Sequence, residues 1–375
     1  MRLAGAELEA LRQEGDPPAD RLVAGLAQGG EVEAVNRLLG RLFANRQAVP
    51  ADLPEPVADW LRETGRLPEG ADPERLERAA NLFLEHGMVI ALILSTASLV
   101  ECYAAVKGVK VLAFTYRLGQ NAYRRVAETA QWLLFVMAPG GLTTPQGEGI
   151  RAVQKVRLLH GTIRYLIGQT GRWDGAAWGV PICQEDLAFT LMTFSYIVLR
   201  NLRRLGFPVT AQQAEDYLYA WNVIGAMLGI RPDLLPANMA EAQAFVELFR
   251  RRHHGPSTEG VAMTGALLEM HRDLMPGELF DGVMPALVRL LVGDQVADWM
   301  AVPYTSWHGL VARYHRAVGA RLGEAERRLG PVQHLVGALG LALMKRRAFA
   351  LSGYRRAGFA IPTRLRDAWG VAEGL

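Results

Sequence analysis

His160 is the residue whose neighbours best suit metal chemistry. Arg157, His160 and Arg164 are spaced three and four residues apart, so on an α-helix they share one face, with apolar residues beside it. A neutral imidazole in an apolar pocket is a good axial ligand for haem iron, and guanidinium groups can pair with haem propionates. From the residues alone, however, the commoner interpretation is a core histidine flanked by surface arginines.

A second pair of residues could act beside such an iron. Arg125 and Thr129 are i, i+4 neighbours on the preceding predicted helix, which places a cation and a hydroxyl on one face. These two groups could orient bound oxygen or a substrate carbonyl.

Other common sites lack their sequence signatures. The chain contains no P-loop string, no HExxH, no GxSxG and no Glu-x-x-His pair, and no strand that could precede a dinucleotide-binding fingerprint. The polar stretch around His253 and His254 predicts two surface histidines, and the group Arg200, Arg203 and Arg204 predicts a solvated helix face.

The elements that must position these residues are helices. Helical periodicity covers Arg124 to Met137 and Ile150 to Gly168, whereas strict alternation typical of strands is sparse. We predict an all-α fold consisting of one large multi-helix domain, with an N-terminal helical layer at 1–75 and the main domain at 76–375. The apolar window from Gly87 to Val100 has 14 residues, short of the ~20 that cross a bilayer, so it predicts a buried core helix and no transmembrane segment.

The composition limits the classes of partner and the cellular compartment that we expect. The net charge of +3 is spread along 375 residues, which gives no reason to expect a nucleic-acid partner. The two cysteines cannot form a disulfide framework, and the N-terminus has acidic residues where an export signal needs an apolar core. We therefore expect a cytoplasmic protein.

Five segments resemble one known family. They are KVRLLHGTIR (155–164), RRVAET (124–129), ECYAAVKGVKVLAFTYRLG (101–119), VPICQEDLAFTLMTF (180–194) and WNVIGAMLGIRPDLLP (221–236). Taken in chain order, they are similar to the latex-clearing-protein family of haem-b proteins, which comprises rubber oxygenases and MpaB-type oxygenases. The similarity extends over about residues 80 to 300. It implies globin-like helix packing around a haem pocket.

The resemblance also implies roles for particular residues. It makes His160 the proximal ligand of haem iron, with Arg157 and Arg164 beside the cofactor and Arg125 and Thr129 in the haem pocket. Glu101 is our candidate for the family's catalytic glutamate, a base that removes an allylic proton, although its spacing to Arg125 differs from the family's. Latex clearing proteins have a lysine just before the threonine, where this chain has Glu128.

Three functions are consistent with these observations. The leading one is a haem-b-dependent oxygenase, an oxidoreductase that acts with dioxygen on a small hydrophobic, isoprenoid or lipid-like substrate. The second is a haem-binding or haem-sensing protein without turnover. The third is a helical protein in which the motif residues serve only the structure. The sequence leaves the substrate, the sixth iron ligand and the oligomeric state open.

Overall fold

The protein is described by a computed structural model over residues 5–114, 122–274 and 281–309. Its α-helices, numbered α1 to α17 in chain order, are Gly5–Leu11, Pro17–Gly29, Val32–Leu39, Glu55–Glu63, Pro73–Ile93, Leu99–Ala104, Gly108–Phe114, Ala122–Met137, Gly149–Gln169, Gly175–Trp178, Gln184–Phe194, Tyr196–Arg204, Ala211–Met227, Met239–His253, Thr258–Leu274, Val283–Val292 and Asp294–Trp299. A π-helix lies at Leu94–Ser98 and a 3-10 helix at Pro232–Leu234. Within these ranges there is no β-strand, only an isolated antiparallel bridge between Ala105 and His254. The predicted all-α class is confirmed.

The start of two central helices is encoded by local capping residues. At α5, the Asp72 side chain accepts hydrogen bonds from the backbone amides of Glu74 (2.9 Å) and Arg75 (3.2 Å), and proline occupies the first helical position. At α13, Thr210 and Gln213 form a reciprocal capping box. Each cap provides hydrogen-bond acceptors for amides that have no partner inside the helix. A few neighbouring residues therefore determine where both helices begin.

Helices α5 and α13 pack along each other in the main core. Trp221 of α13 is completely buried there, and burial of a large apolar side chain stabilises the fold by roughly 1.5–3 kcal/mol. At the edge of this contact the buried Asp216 accepts from Nε of Arg75 (2.7 Å) and Nε of Arg78 (2.6 Å). The packing and the ion pairs together fix the position of α5 against α13.

The apolar window predicted as a core helix belongs to one long helical segment, Pro73–Ala104, interrupted by the π-helix. The hydroxyls of Ser95 and Thr96 donate to the carbonyl of Leu92 at 3.1 and 2.6 Å, which competes with the regular backbone ladder at this point. By length and composition the segment could cross a membrane, but half of its most apolar window is buried inside the protein, as in a core helix.

The N-terminal helices pack against α9, the helix that carries His160. Val23, Val35 and Trp60 form a second apolar cluster together with Leu158 of α9. Gly161 lets α2 approach closely, because a Cβ atom there would lie 3.3 Å from the Ala19 carbonyl oxygen. The division into parts at 1–75 and 76–375 stays a prediction.

Candidate haem site

His160 lies in the middle of α9, and the sequence predicts this helix to within a residue of its observed ends. The residue is partly accessible overall, but its Nδ1 is buried and has no hydrogen-bond partner within the described parts of the chain. Burial lowers the pKa of His160 to about 4, and the charge of Arg164 lowers it as well, against a smaller opposing effect of Asp16. The imidazole is therefore neutral at pH 7, the form that ligates metals.

The two arginines that share a face with His160 are bound by aspartates of the N-terminal layer. Arg157 donates from Nε to Asp16 Oδ2 (2.6 Å) and from Nη2 to Asp16 Oδ1 (2.8 Å), a bidentate pair. Arg164 donates from Nε to Asp20 Oδ1 (2.7 Å) and from Nη1 to the Ile182 carbonyl (3.2 Å). Nη2 of Arg164 is buried and unpartnered among the described residues. Arg164 thus retains a free donor, whereas Arg157 is committed to Asp16.

The second predicted pair lies on α8, which packs against α9. Thr129 is exposed and Glu128 is partly exposed. The backbone of Arg125 belongs to α8, but its side chain lies outside the described side chains, as do residues 115–121. The structure therefore places Thr129 on an exposed position of a helix that packs against α9, and the roles of Thr129 and Arg125 stay predictions.

Glu101, the candidate base, lies in a buried ion cluster. Its Oε2 accepts from Nε of Arg250 (3.0 Å), and Oε1 accepts from Nη2 of Arg250 and from Nη2 of Arg200 (3.3 Å). Nδ1 of His254 lies 3.7 Å from Oε2. Burial alone would raise the pKa of Glu101, but Arg250, His254 and Arg200 hold the pKa below its ordinary value. Such a carboxylate is a weak proton acceptor, so this geometry favours a structural ion pair over the predicted base.

The structure corrects the predicted surface positions of His253, His254 and Arg200. The side chains of both histidines are buried, with exposed fractions of 3% and 0%, and His253 Nε2 lies 3.0 Å from Glu185 Oε2. Arg200 is largely covered because it reaches inward to Glu101. The polar composition of each stretch predicted exposure to solvent. These polar side chains are instead paired with buried carboxylates that lie far away in the sequence.

Sequence reasoning missed the two aspartates that hold the arginines. Asp16 lies 141 positions before Arg157, and Asp20 lies 144 positions before Arg164. The only local signal is their spacing of four, which places them on one side of α2 as it starts. Arg157 and Arg164 are seven residues apart, which is two turns of α9. The two ion pairs therefore connect α9 to α2 at two points.

Comparison with known proteins identifies the family of the chain. Residues 77–324 match the profile of the "ER-bound oxygenase mpaB/B'/Rubber oxygenase, catalytic domain". The chain belongs to this family. It is 29% identical over 291 residues to a rubber oxygenase of Streptomyces sp. (strain K30), covering 76% of this chain and 70% of that protein. Its fold is similar to the latex clearing protein structure in the closed state, with a TM-score of 0.75, 25% identity and coverage of 90% and 91% of the two chains. As a member of the mpaB/rubber oxygenase family, the chain is an oxidoreductase of the oxygenase type.

The residues of this mpaB/rubber oxygenase member fit a haem at His160. The neutral imidazole offers a buried nitrogen that has no partner in the described part of the chain, and Arg164 offers a buried donor for an acidic group beside it. Both groups lie on one face of α9. A haem propionate could pair with Arg164 without breaking an existing contact, whereas pairing with Arg157 would compete with Asp16.

Proposed function

We propose that this protein binds one haem b through His160 and uses it as an oxygenase on a hydrophobic, isoprenoid-like substrate. The observation that carries the proposal is the neutral His160 imidazole, whose buried Nδ1 is unpartnered among the described residues. A buried polar atom without a partner costs free energy, and a ligand in the site is one way to compensate that cost. Membership of an oxygenase family and the rubber oxygenase relative supply the reaction class.

Each residue of the site would have a separate part in this function. Bound haem supplies the redox chemistry with which dioxygen cleaves a carbon–carbon double bond. His160 would hold the cofactor on the proximal side, and Arg164 would fix a propionate with its free donor. Arg125 and Thr129, on the neighbouring helix, would orient the substrate or oxygen. The substrate is proposed to be apolar because the named relative is a rubber oxygenase.

A second function, haem binding without turnover, is favoured by the environment of Glu101. Both carboxylate oxygens of Glu101 are bound by arginines, and Glu128 stands where latex clearing proteins have a lysine. The groups available for turnover would then differ from those of the family, whereas His160 could still hold the haem. In this case the protein would bind haem and leave isoprenoids unchanged.

The test is haem content followed by turnover. Full-length protein expressed with ample haem should show a Soret band and, in the pyridine haemochrome assay, close to one haem b per chain. His160→Ala should lose the haem, and added imidazole should restore part of it. His308→Ala changes a partly exposed histidine whose ring centre lies 5.2 Å from that of Tyr304; this variant should keep the haem and serves as the control.

Three results separate the alternatives. A His160→Ala protein that keeps a full Soret band and the wild-type circular dichroism spectrum would show that the ligand lies elsewhere. Oxygen consumption with carbonyl products from squalene or short polyisoprene oligomers would establish the oxygenase. Stoichiometric haem with no turnover of any such substrate would favour the haem-binding alternative.

A further inference from the structure

Phe114, Trp173 and Trp178 form a cluster of aromatic rings, here called the aromatic cluster. The ring centroids of Phe114 and Trp173 are 5.3 Å apart, those of Trp173 and Trp178 are 5.0 Å apart, and all three pairs meet edge to face. Phe114 ends α7, while the two tryptophans belong to the loop and the short helix α10 that follow α9. Rings from separate elements are thus gathered at one place.

The aromatic cluster is not part of the closed core. All three residues are partly exposed, and the residues from Asp174 to Ala177 between the tryptophans are exposed. Large aromatic side chains gain most from complete burial, so three partly exposed rings gathered at one place form an apolar surface that can bind more apolar material.

The loop that carries the tryptophans is held in place. The indole Nε1 of Trp173 donates to the Gly179 carbonyl (2.7 Å), and the Trp178 carbonyl accepts from Nη2 of the buried Arg12 (2.9 Å). Ile182, at the end of the loop, has a φ of 53°, which is unusual for a β-branched residue. Its carbonyl accepts from Arg164, so the strained backbone joins the loop to the face that carries His160.

The aromatic cluster also contacts the candidate haem helix directly. Phe114, Trp173 and Ile182 pack on a small apolar cluster that includes Leu159 and Ile163 of α9. Leu159 directly precedes His160, and Ile163 lies one turn after it, so the aromatic cluster covers the side of α9 next to the histidine. Material bound on these rings would therefore lie beside the proposed haem.

We propose that the aromatic cluster binds the hydrocarbon chain of the substrate and positions it for reaction beside His160. This inference rests on the proposed function for the identity of the substrate. The rings offer apolar edges and faces and no carboxylate. Two cations lie over the rings: Lys110, 4.8 Å from the Trp178 ring centre and paired with Glu259 (2.9 Å), and the exposed Arg172, 5.8 Å from the Phe114 ring centre. The ring surface itself is apolar, so it suits an uncharged, extended apolar chain.

Direct binding tests this inference separately from the haem. Full-length wild-type protein, prepared with and without haem, is titrated with a dansyl-labelled farnesyl ether, and the rise in dansyl emission gives Kd. The double variant Trp173→Ala/Trp178→Ala should raise Kd at least about tenfold in both preparations. It should keep the haem content and raise KM for squalene more than it changes kcat.

Two control variants keep the result specific. Trp299→Ala removes a partly buried tryptophan of α17, and Arg172→Gln removes the charge that lies 5.8 Å from the Phe114 ring centre. Both should leave Kd within about twofold of the wild type. If the double alanine variant fails to fold, Trp173→Gln/Trp178→Gln replaces it, with a similar loss of binding expected because glutamine removes the apolar rings.

The outcomes are distinguishable. An unchanged Kd in folded Trp173/Trp178 variants, an equal loss in Trp299→Ala, or no probe binding by the wild type would overturn the role of the aromatic cluster. A wild type that takes up no haem when expressed with ample haem, yet binds the probe through the two tryptophans, would refute the proposed function and leave the binding surface intact. A wild type that holds one haem per chain, but whose Kd for the probe is unchanged in the Trp173/Trp178 variants, would support the haem site and overturn the role of the aromatic cluster.

Discussion

Replacing Glu101 with glutamine tests whether this residue is an ion-pair partner or a base. Its side chain is completely buried, and the substitution leaves Arg250 and Arg200 without their carboxylate. Breaking a buried ion pair from one side costs about 3–5 kcal/mol. Because both arginines are 25% exposed and water can reach them in part, we expect the lower end, about 3 kcal/mol of unfolding free energy. Urea unfolding followed by circular dichroism should show the midpoint falling by about 1 M.

Glu33→Gln is the control for this experiment. Glu33 and its i+4 partner Arg37 are 85% and 66% exposed, so the change should cost less than about 0.5 kcal/mol. The pKa of Glu101 is lowered in the folded protein, so its stabilisation is complete above the unfolded value of about 4.3 and is lost as pH falls through the folded value. The difference between wild type and Glu101→Gln should therefore shrink in acid.

A loss below about 1 kcal/mol at pH 7 would refute the assignment of Glu101 to a structural ion pair. If such a stable variant also lost turnover of an isoprenoid while keeping its haem, the predicted role of Glu101 as the base would be supported instead.

The remaining predictions concern the N-terminal contact and a second buried histidine. Asp16→Asn should destabilise the protein by about 1–3 kcal/mol in urea unfolding, because it leaves Arg157 partly buried without its charge partner. Gly161→Leu should lower the melting temperature and expose α2 to proteolysis, since the new side chain meets the Ala19 carbonyl. Burial lowers the pKa of His271 to about 4, so the unfolded chain binds more protons between pH 6.5 and 4 and stability falls as pH falls through that range. His271→Leu should show a smaller fall of the urea midpoint between pH 6.5 and 4.5. A fall as large as in the wild type would contradict a lowered pKa of His271 in the folded protein.

Local patterns predicted the helical elements well. The helix of His160 is predicted from Ile150 to Gly168 and observed from Gly149 to Gln169, and the apolar window from Gly87 to Val100 lies on a helical segment whose most apolar window is half buried. The π-helix at Leu94–Ser98 was not predicted, because a periodicity of 3.6 residues does not reveal where hydroxyls compete for backbone carbonyls. Periodicity and capping act over a few residues, so they can be read from the sequence.

The all-α class, the face shared by Arg157, His160 and Arg164, and the family motifs around them could all be predicted from local sequence. The contacts of functional side chains could not, because they come from the packing of distant helices. Asp16 binds Arg157, which lies 141 positions later in the sequence, and Glu101 binds Arg250, which lies 149 positions later. Helix geometry fixes which residues three or four positions apart share a face. Burial and charge pairing instead depend on which helices pack together, however far apart they are in the sequence. A histidine in a polar stretch of sequence can thus be buried beside a carboxylate of another helix, as His254 is beside Glu101.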